Sequence, residues 1–143
     1  MCIIVDANSA HELSNVTKDG KPVLRWLLDR KQRAGLVVGG KLTAELDKAG
    51  FRATLAELSR AGRLHRIRDD VLEQRERTLR AEGSCVSNDV HVVALALTSG
   101  CGLVFTKDTQ LHQDLKRHSP RGRRIAIYQR ESHARLLVPC ECP

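Results

Sequence analysis

Apolar residues in this chain come in short β-rich runs, each closed by turn formers and followed by a segment of helical period. That alternation constrains the fold more than any other feature. Cys2-Ile3-Ile4-Val5, Leu36-Val37-Val38, Leu103-Val104-Phe105-Thr106 and Ile125-Ala126-Ile127-Tyr128 read as strands. Leu64-His65-Arg66-Ile67 is a poorer run and reads as a sheet edge. Between them, Asp19 is expected to cap a helix with Pro22 in its first turn and Val23, Leu24, Leu27 and Leu28 on one face. Gly39-Gly40 turns the chain into a helix carrying Leu42, Leu46 and Ala49, and Phe51 to Ala61 resumes the period. Asp69 and Asp70 open another helix that runs to about Glu82, and they read as capping acids. Ser87 or Asn88 is expected to cap a helix whose body, Val90 to Leu97, is apolar apart from His91 and hence buried, and a last helix spans Thr109 to Arg117. Strands alternating with helices in this way predict an α/β protein, a three-layer α/β/α domain with a mostly parallel five-stranded sheet. One domain over residues 1–138 and a short cysteine-containing tail at 139–143 account for the chain.

Four acids stand out against this frame: Asp6, Glu45, Asp89 and Asp108, each just beyond or beside an apolar run. Asp6 ends the first strand, and Asp108 closes the strand that ends at Thr106. In an open parallel sheet the carboxyl ends of the strands line the crevice where ligands bind, so these two face one pocket if their strands are neighbours. Glu45 lies one turn into its helix, and Asp89 is expected in the first turn of its own, where a carboxylate also gains from the helix dipole. Of the histidines, His11, His65, His91, His112, His118 and His133, none is spaced as a paired ligand motif, and His91 reads as a core residue. Neither a nucleophile elbow nor a phosphate-cradling glycine loop is present.

Twenty-four Lys and Arg against 17 Asp and Glu give a net charge of +7, which favours a polyanionic partner. With only Phe51, Phe105, Trp26 and Tyr128 as aromatics, stacking on bases is poorly supplied, and a nucleic acid would be held by its backbone. The basic turn Arg121-Gly122-Arg123-Arg124, together with Lys41 and Lys107, offers candidate phosphate contacts. No run approaches the ~20 apolar residues that span a bilayer, and the first strand begins at Cys2, so a cytoplasmic protein without a membrane partner is expected. Five cysteines, Cys2, Cys85, Cys101, Cys140 and Cys142, fit reduced thiols, and the spacing of Cys140 and Cys142 is not that of a common zinc module.

Three segments carry a resemblance to a known family. Ile3-Ile4-Val5-Asp6-Ala7-Asn8, Val37-Val38-Gly39-Gly40-Lys41-Leu42-Thr43-Ala44-Glu45-Leu46, and Asn88-Asp89-Val90-His91-Val92-Val93-Ala94-Leu95-Ala96 with Leu103-Val104-Phe105-Thr106-Lys107-Asp108 resemble, in order and spacing, the motifs of PIN-domain nucleases. The resemblance implies a sheet ordered 3-2-1-4-5, with Asp6 and Asp108 side by side and Glu45 and Asp89 approaching from flanking helices. It further implies metal-dependent cleavage of RNA; Mg²⁺ or Mn²⁺ is the expected cation, and single-stranded RNA or structured RNA such as tRNA the expected partner. Many small members are VapC-type toxins, so a cognate antitoxin protein and a homodimer are implied partners. Unlike many relatives, this chain follows its first Asp-x-Asn with polar residues, Ser9-Ala10-His11-Glu12 and Asn15 to Gly20, expected to be a loop at the pocket mouth.

The residues themselves suit that chemistry. Divalent ions bound by a few carboxylates can neutralise a phosphate and activate water. Asp6 and Asp108 are expected as direct ligands, Asp89 as ligand or bridge, Glu45 as ligand or orienter of water, and Asn8 and Thr106 as hydrogen-bond partners of the carboxylates. Two other classes fit less well: a non-catalytic RNA-binding module of the same fold, and a phospho-acceptor receiver domain. The latter wants an acidic pair at the first strand, which Asp6-Ala7 does not supply.

Overall fold

A computed structural model describes residues 2–138. Five strands, β1 (Cys2–Val5), β2 (Gly35–Val38), β3 (Leu64–Arg66), β4 (Leu103–Phe105) and β5 (Ala126–Tyr128), form one sheet in the order β3-β2-β1-β4-β5. Every pairing is parallel. The central strands β1, β2 and β4 are buried at each position, which is why their sequences are continuous apolar runs without alternation. β3 is an edge, and its His65 and Arg66 are exposed.

The helices are α1 (Ala10–Ser14), α2 (Lys21–Leu28), α3 (Gly40–Lys48), α4 (Arg52–Arg60), α5 (Asp69–Glu82), α6 (Val90–Ser99) and α7 (Thr109–His118), with 3₁₀ turns at Ala7–Ser9 and Glu131–Leu136. From β1 the chain steps outward to β2 and β3, then returns across the sheet to β4 and steps outward again to β5. Right-handed crossovers therefore carry α2 and α4 on one face and α5, α6 and α7 on the other. Contacts agree: α5 packs on α6, α6 on α7, and α2 on α1 and the Glu131–Leu136 turn. Val90 to Ala96 are all buried, so α6 is the spine of its layer. Each such Val or Leu contributes about 1.5–3 kcal/mol through burial.

Two local expectations give way to tertiary contacts. The stretch after Asp6 is not a loop: it forms the first 3₁₀ turn and α1, because Ala10 and Leu13 are buried and its polar groups find partners inside the protein. Glu12 receives a hydrogen bond from the Thr17 hydroxyl and an ion pair from Lys107 Nζ at 3.2 Å. Nor does Asp19 cap α2, which begins at Lys21 with Gly20 in the cap position and no side-chain cap bond. Asp19 instead accepts from Lys107 Nζ and from the Glu131 N–H, both at 3.0 Å, while the Tyr128 hydroxyl donates to its carbonyl at 2.6 Å. Lys107 thus clamps the segment between β1 and α2 onto the carboxyl ends of β4 and β5. α5 begins at Asp69 as expected, but Arg68 holds the N-cap position, so Asp69 and Asp70 lie in the first turn instead of capping it, and Asp69 Oδ1 accepts from the Gly40 N–H at 3.2 Å, tying α3 to α5.

Of the cysteines, Cys85 and Cys101 are free, whereas Cys2 is disulfide-bonded, against the expectation of reduced thiols throughout. The tail at 139–143, with Cys140 and Cys142, lies outside the described residues. Among the described residues no helix is long and apolar enough to cross a membrane.

Gly20 has no room for a side chain, since a Cβ there would run into the Glu12 carbonyl, which is backbone and cannot swing aside. Gly20→Ala should destabilise the fold by about 1–3 kcal/mol in urea denaturation, the usual range for overpacking. Gly102→Ala, where a Cβ would meet nothing within 4 Å, should stay within about 0.5 kcal/mol of the parent. Equal effects would show that the clasp over Glu12 is looser than described.

The Lys107 clamp predicts an acid-sensitive component of stability. Glu12 sits below the usual carboxylate range chiefly because of the Thr17 hydroxyl, with Lys107 adding, and Asp19 chiefly because of the Glu131 N–H, again with Lys107. Depressed carboxylates stabilise the fold above their ordinary range, and that contribution is lost as the pH falls through their lowered values. Lys107→Met should cost about 1 kcal/mol near neutrality, since the ammonium is half exposed. The loss should shrink in urea titrations as the acids protonate, and a pH-independent loss would assign Lys107 a packing role alone.

Candidate metal centre

Asp6 is the first residue past β1, and its N–H donates to the Phe105 carbonyl at 3.0 Å, extending the β1–β4 pairing by one residue. The carboxylate is therefore delivered, 2% exposed, beside the end of β4. There the Thr106 hydroxyl does two things: it donates to Asp6 Oδ2 at 2.9 Å and accepts from the Asp108 N–H at 3.1 Å. One buried side chain thus sets the spacing between the two strand-end acids. Asp108 is the N-cap of α7, with Oδ1 accepting from the N–H groups of Gln110 at 2.9 Å and Leu111 at 3.4 Å, so its orientation is fixed by the helix it starts.

Asp89 approaches from the start of α6, which lies on the same face of the sheet as α7. It occupies the N-cap of α6, one residue earlier than the first-turn position expected, but its side chain makes no cap bond. The loop before it is pinned by Asp114, a buried acid of α7 that accepts from the N–H groups of Val86 and Ser87, both at 2.9 Å. Ser87 Oγ in turn accepts from the Asp89 N–H at 2.9 Å. The backbone of Asp89 is held while its carboxylate is spared from capping. Glu45, on α3, places Oε2 3.0 Å from His91 Nε2.

The acids feel one another. Burial is the main reason the Asp6 carboxyl lies above its ordinary range, partly offset by the Thr106 hydroxyl and the Asn8 N–H, and the charges of Asp89 and Asp108 push the same way as burial. Asp89 is likewise raised, first by burial and then by Glu45 and Asp108, with His91 opposing. Asp6, Asp89 and Asp108 thus lie within one another's field near the point where the strand order reverses, and Glu45 within that of Asp89, while Asp6 and Asp108 stand outside the closest group of donor atoms among the described residues. One donor atom each from Glu45, Asp89 and His91 lies within 4.8 Å of the others. Carboxylate oxygens with a single imidazole make a donor set that suits a divalent cation, and a cation would offset the burial that chiefly raises Asp6 and Asp89 as well as the repulsion that adds to it.

No family model matches this sequence, and no curated protein matches it.

The other sequence candidates fall in different places. Asn8 is exposed and meets the Asp6 carboxylate through its backbone N–H. Lys107 is turned toward Glu12 and Asp19, and Lys41 pairs with Glu76 Oε1 at 3.1 Å in a cleft that His91 also borders. Arg121, Arg123 and Arg124 are exposed but precede β5, so they sit at the amino edge of the sheet, away from the acids. The ten residues of α7, at 1.5 Å each, put roughly 15 Å between that turn and the level of Asp108.

His91 is the satisfied core residue that the sequence predicts, and its partner is one of the four acids. It is buried, 8% exposed, as a core residue should be, yet its ring edge meets Glu45 across the crevice. The available signal was its position two residues after Asp89, as the one polar side chain in the apolar body of α6.

A raised carboxyl binds protons more tightly folded than unfolded, so Asp6 and Asp89 weaken the metal-free fold as the pH climbs from the ordinary carboxylate range through their raised values. Asp89→Asn should therefore raise the thermal midpoint in chelator at pH 7 by a few degrees. Added Mn²⁺ should stabilise the parent strongly and this variant weakly. A variant that melts below the parent in chelator would show that Asp89 supports the fold rather than burdens it.

Proposed function

We propose that this protein is a metal-dependent endoribonuclease that hydrolyses RNA phosphodiester bonds. The observation that carries the reading is the convergence of Asp6, Glu45, Asp89 and Asp108, from four separate segments, at the switch point of a parallel sheet. The sheet order is the one implied by the resemblance to PIN-domain nucleases, and these acids are the ones that resemblance singles out. Asp6, Asp89 and Asp108 would hold the cation, Mg²⁺ or Mn²⁺, with Thr106 fixing the orientation of Asp6. When bound, the cation neutralises charge on the scissile phosphate and on the departing oxygen. Glu45 is less buried than Asp6, its side chain 39% exposed, and would reach the cation directly or through a water that it orients. The excess of basic residues draws a polyanion to the surface, and the scarcity of aromatics favours grip on the backbone over base stacking.

The test is cleavage of an end-labelled RNA pool containing total tRNA, with Mg²⁺, Mn²⁺ or chelator, comparing the parent with Asp89→Asn. This substitution is preferred to Asp108→Asn because the Asp89 side chain caps no helix. Discrete, metal-requiring fragments are expected from the parent, with a loss of at least ~100-fold in the variant, more than outer-sphere changes produce. RNA binding that falls steeply with salt but yields no metal-dependent product would replace this reading with a non-catalytic RNA-binding module.

A further inference from the structure

We propose that His91 is a nitrogen donor to the metal at this centre, through Nε2, so that the site selects Mn²⁺ and related 3d cations over Mg²⁺. The proposal rests on the reading of the pocket as a metal centre and goes beyond the carboxylate set.

The geometry is unusual for a helix. Two residues apart on a regular α-helix, side chains point to nearly opposite sides, so Asp89 and His91 would not ordinarily meet. Here Asp89 stands outside the helix at φ −97° and ψ 45°, and that turn brings its carboxylate round to the side on which His91 projects. Donor atoms of Asp89, His91 and Glu45 then fall within 4.8 Å of one another. With bonds of about 2.1 Å, neighbouring ligands of one small divalent ion stand about 3.0 Å apart and opposite ones about 4.2 Å, so the three side chains draw together when one ion joins them.

The burial pattern points the same way. Val90 to Ala96 are all buried, and His91 is the one polar residue among them. A polar side chain in such a helix needs a partner, and Nε2 finds Glu45 at 3.0 Å, from a different element and at the mouth of the acidic crevice. The 3.0 Å between Nε2 and Glu45 Oε2 is the separation of two neighbouring ligands of one small cation, which would take the place of the proton they share. Imidazole suits 3d ions, whereas Mg²⁺ prefers oxygen ligands and keeps its waters.

The discriminating variant is His91→Gln, whose amide can keep a hydrogen bond to Glu45 but supplies no imidazole nitrogen. Binding of Mn²⁺ alone and Mg²⁺ alone to the metal-free full chain is measured by calorimetry. Electron spin-echo spectroscopy of the Mn²⁺-loaded parent reports a directly bound nitrogen whether or not any variant folds. The expected result is a ¹⁴N coupling in the parent that His91→Gln removes, with Mn²⁺ affinity down by at least ~10-fold and Mg²⁺ affinity within about two-fold. Mn²⁺ bound without nitrogen coupling, and bound equally well by His91→Gln, would overturn the proposal while leaving the carboxylate centre intact. No binding of either ion, or binding unchanged in Asp89→Asn, would remove the metal-centre reading and this inference together.

Discussion

Parallel pairing of β1 with β4 is the constraint on which the functional end of this molecule depends. These two strands are where the chain changes direction across the sheet, so the crossovers leaving them run to opposite sides and a crevice opens between. Because the pairing runs one residue beyond β1, through the Asp6 N–H and the Phe105 carbonyl, the carboxylate of Asp6 cannot avoid the end of β4. The Thr106 hydroxyl completes the junction by bonding the Asp6 side chain and the Asp108 backbone at once. A buried hydroxyl with both its donor and acceptor capacity used is rigid, and it transmits that rigidity to the acids.

Concentrating carboxylates in such a crevice works against folding, and the protein offsets it elsewhere. Central strands buried on both faces and an α6 that is apolar almost throughout provide the hydrophobic stabilisation. Polar anchoring comes from side chains just outside the crevice: Lys107 between Glu12 and Asp19, and Asp114 beneath the loop that precedes Asp89. Lys107 is the immediate neighbour of Asp108, yet it serves the frame. Positive charge is thereby kept beside the acids without being spent on neutralising them.

The strands were legible because burial on both faces demands continuous apolar runs, and β1, β2 and β4 have them. Helices α3 to α7 were legible from apolar spacing, and the glycines that follow them, Gly50, Gly62, Gly83 and Gly100, each have a positive φ. The four acids stood out for a similar local reason, since each borders a recognisable element. What stayed hidden depended on partners distant in sequence. Nothing within residues 9–20 announces that Glu12 will be covered by Lys107 or that Asp19 will bond Glu131. His91 looks like any polar exception in a buried helix until α3 brings Glu45 to its ring. The basic turn at Arg121 to Arg124 looked like a phosphate grip only while its place in the sheet was unknown.

By itself, then, the amino-acid order determined the alternation of strands and helices, the layered α/β class and which carboxylates stand at element ends. Each follows from forces acting over a few residues: alternation or continuity of apolar side chains, helical period and the backbone freedom of glycine. Tertiary structure alone decided that Asp6 and Asp108 share a hydroxyl, that Asp89 is excused from capping, that His91 joins the acids and that Lys107 serves the frame. Those outcomes turn on distances of about 3 Å between groups brought together by the strand order. Hydrogen bonds and ion pairs of that length exist only once the whole sheet has set the spacing.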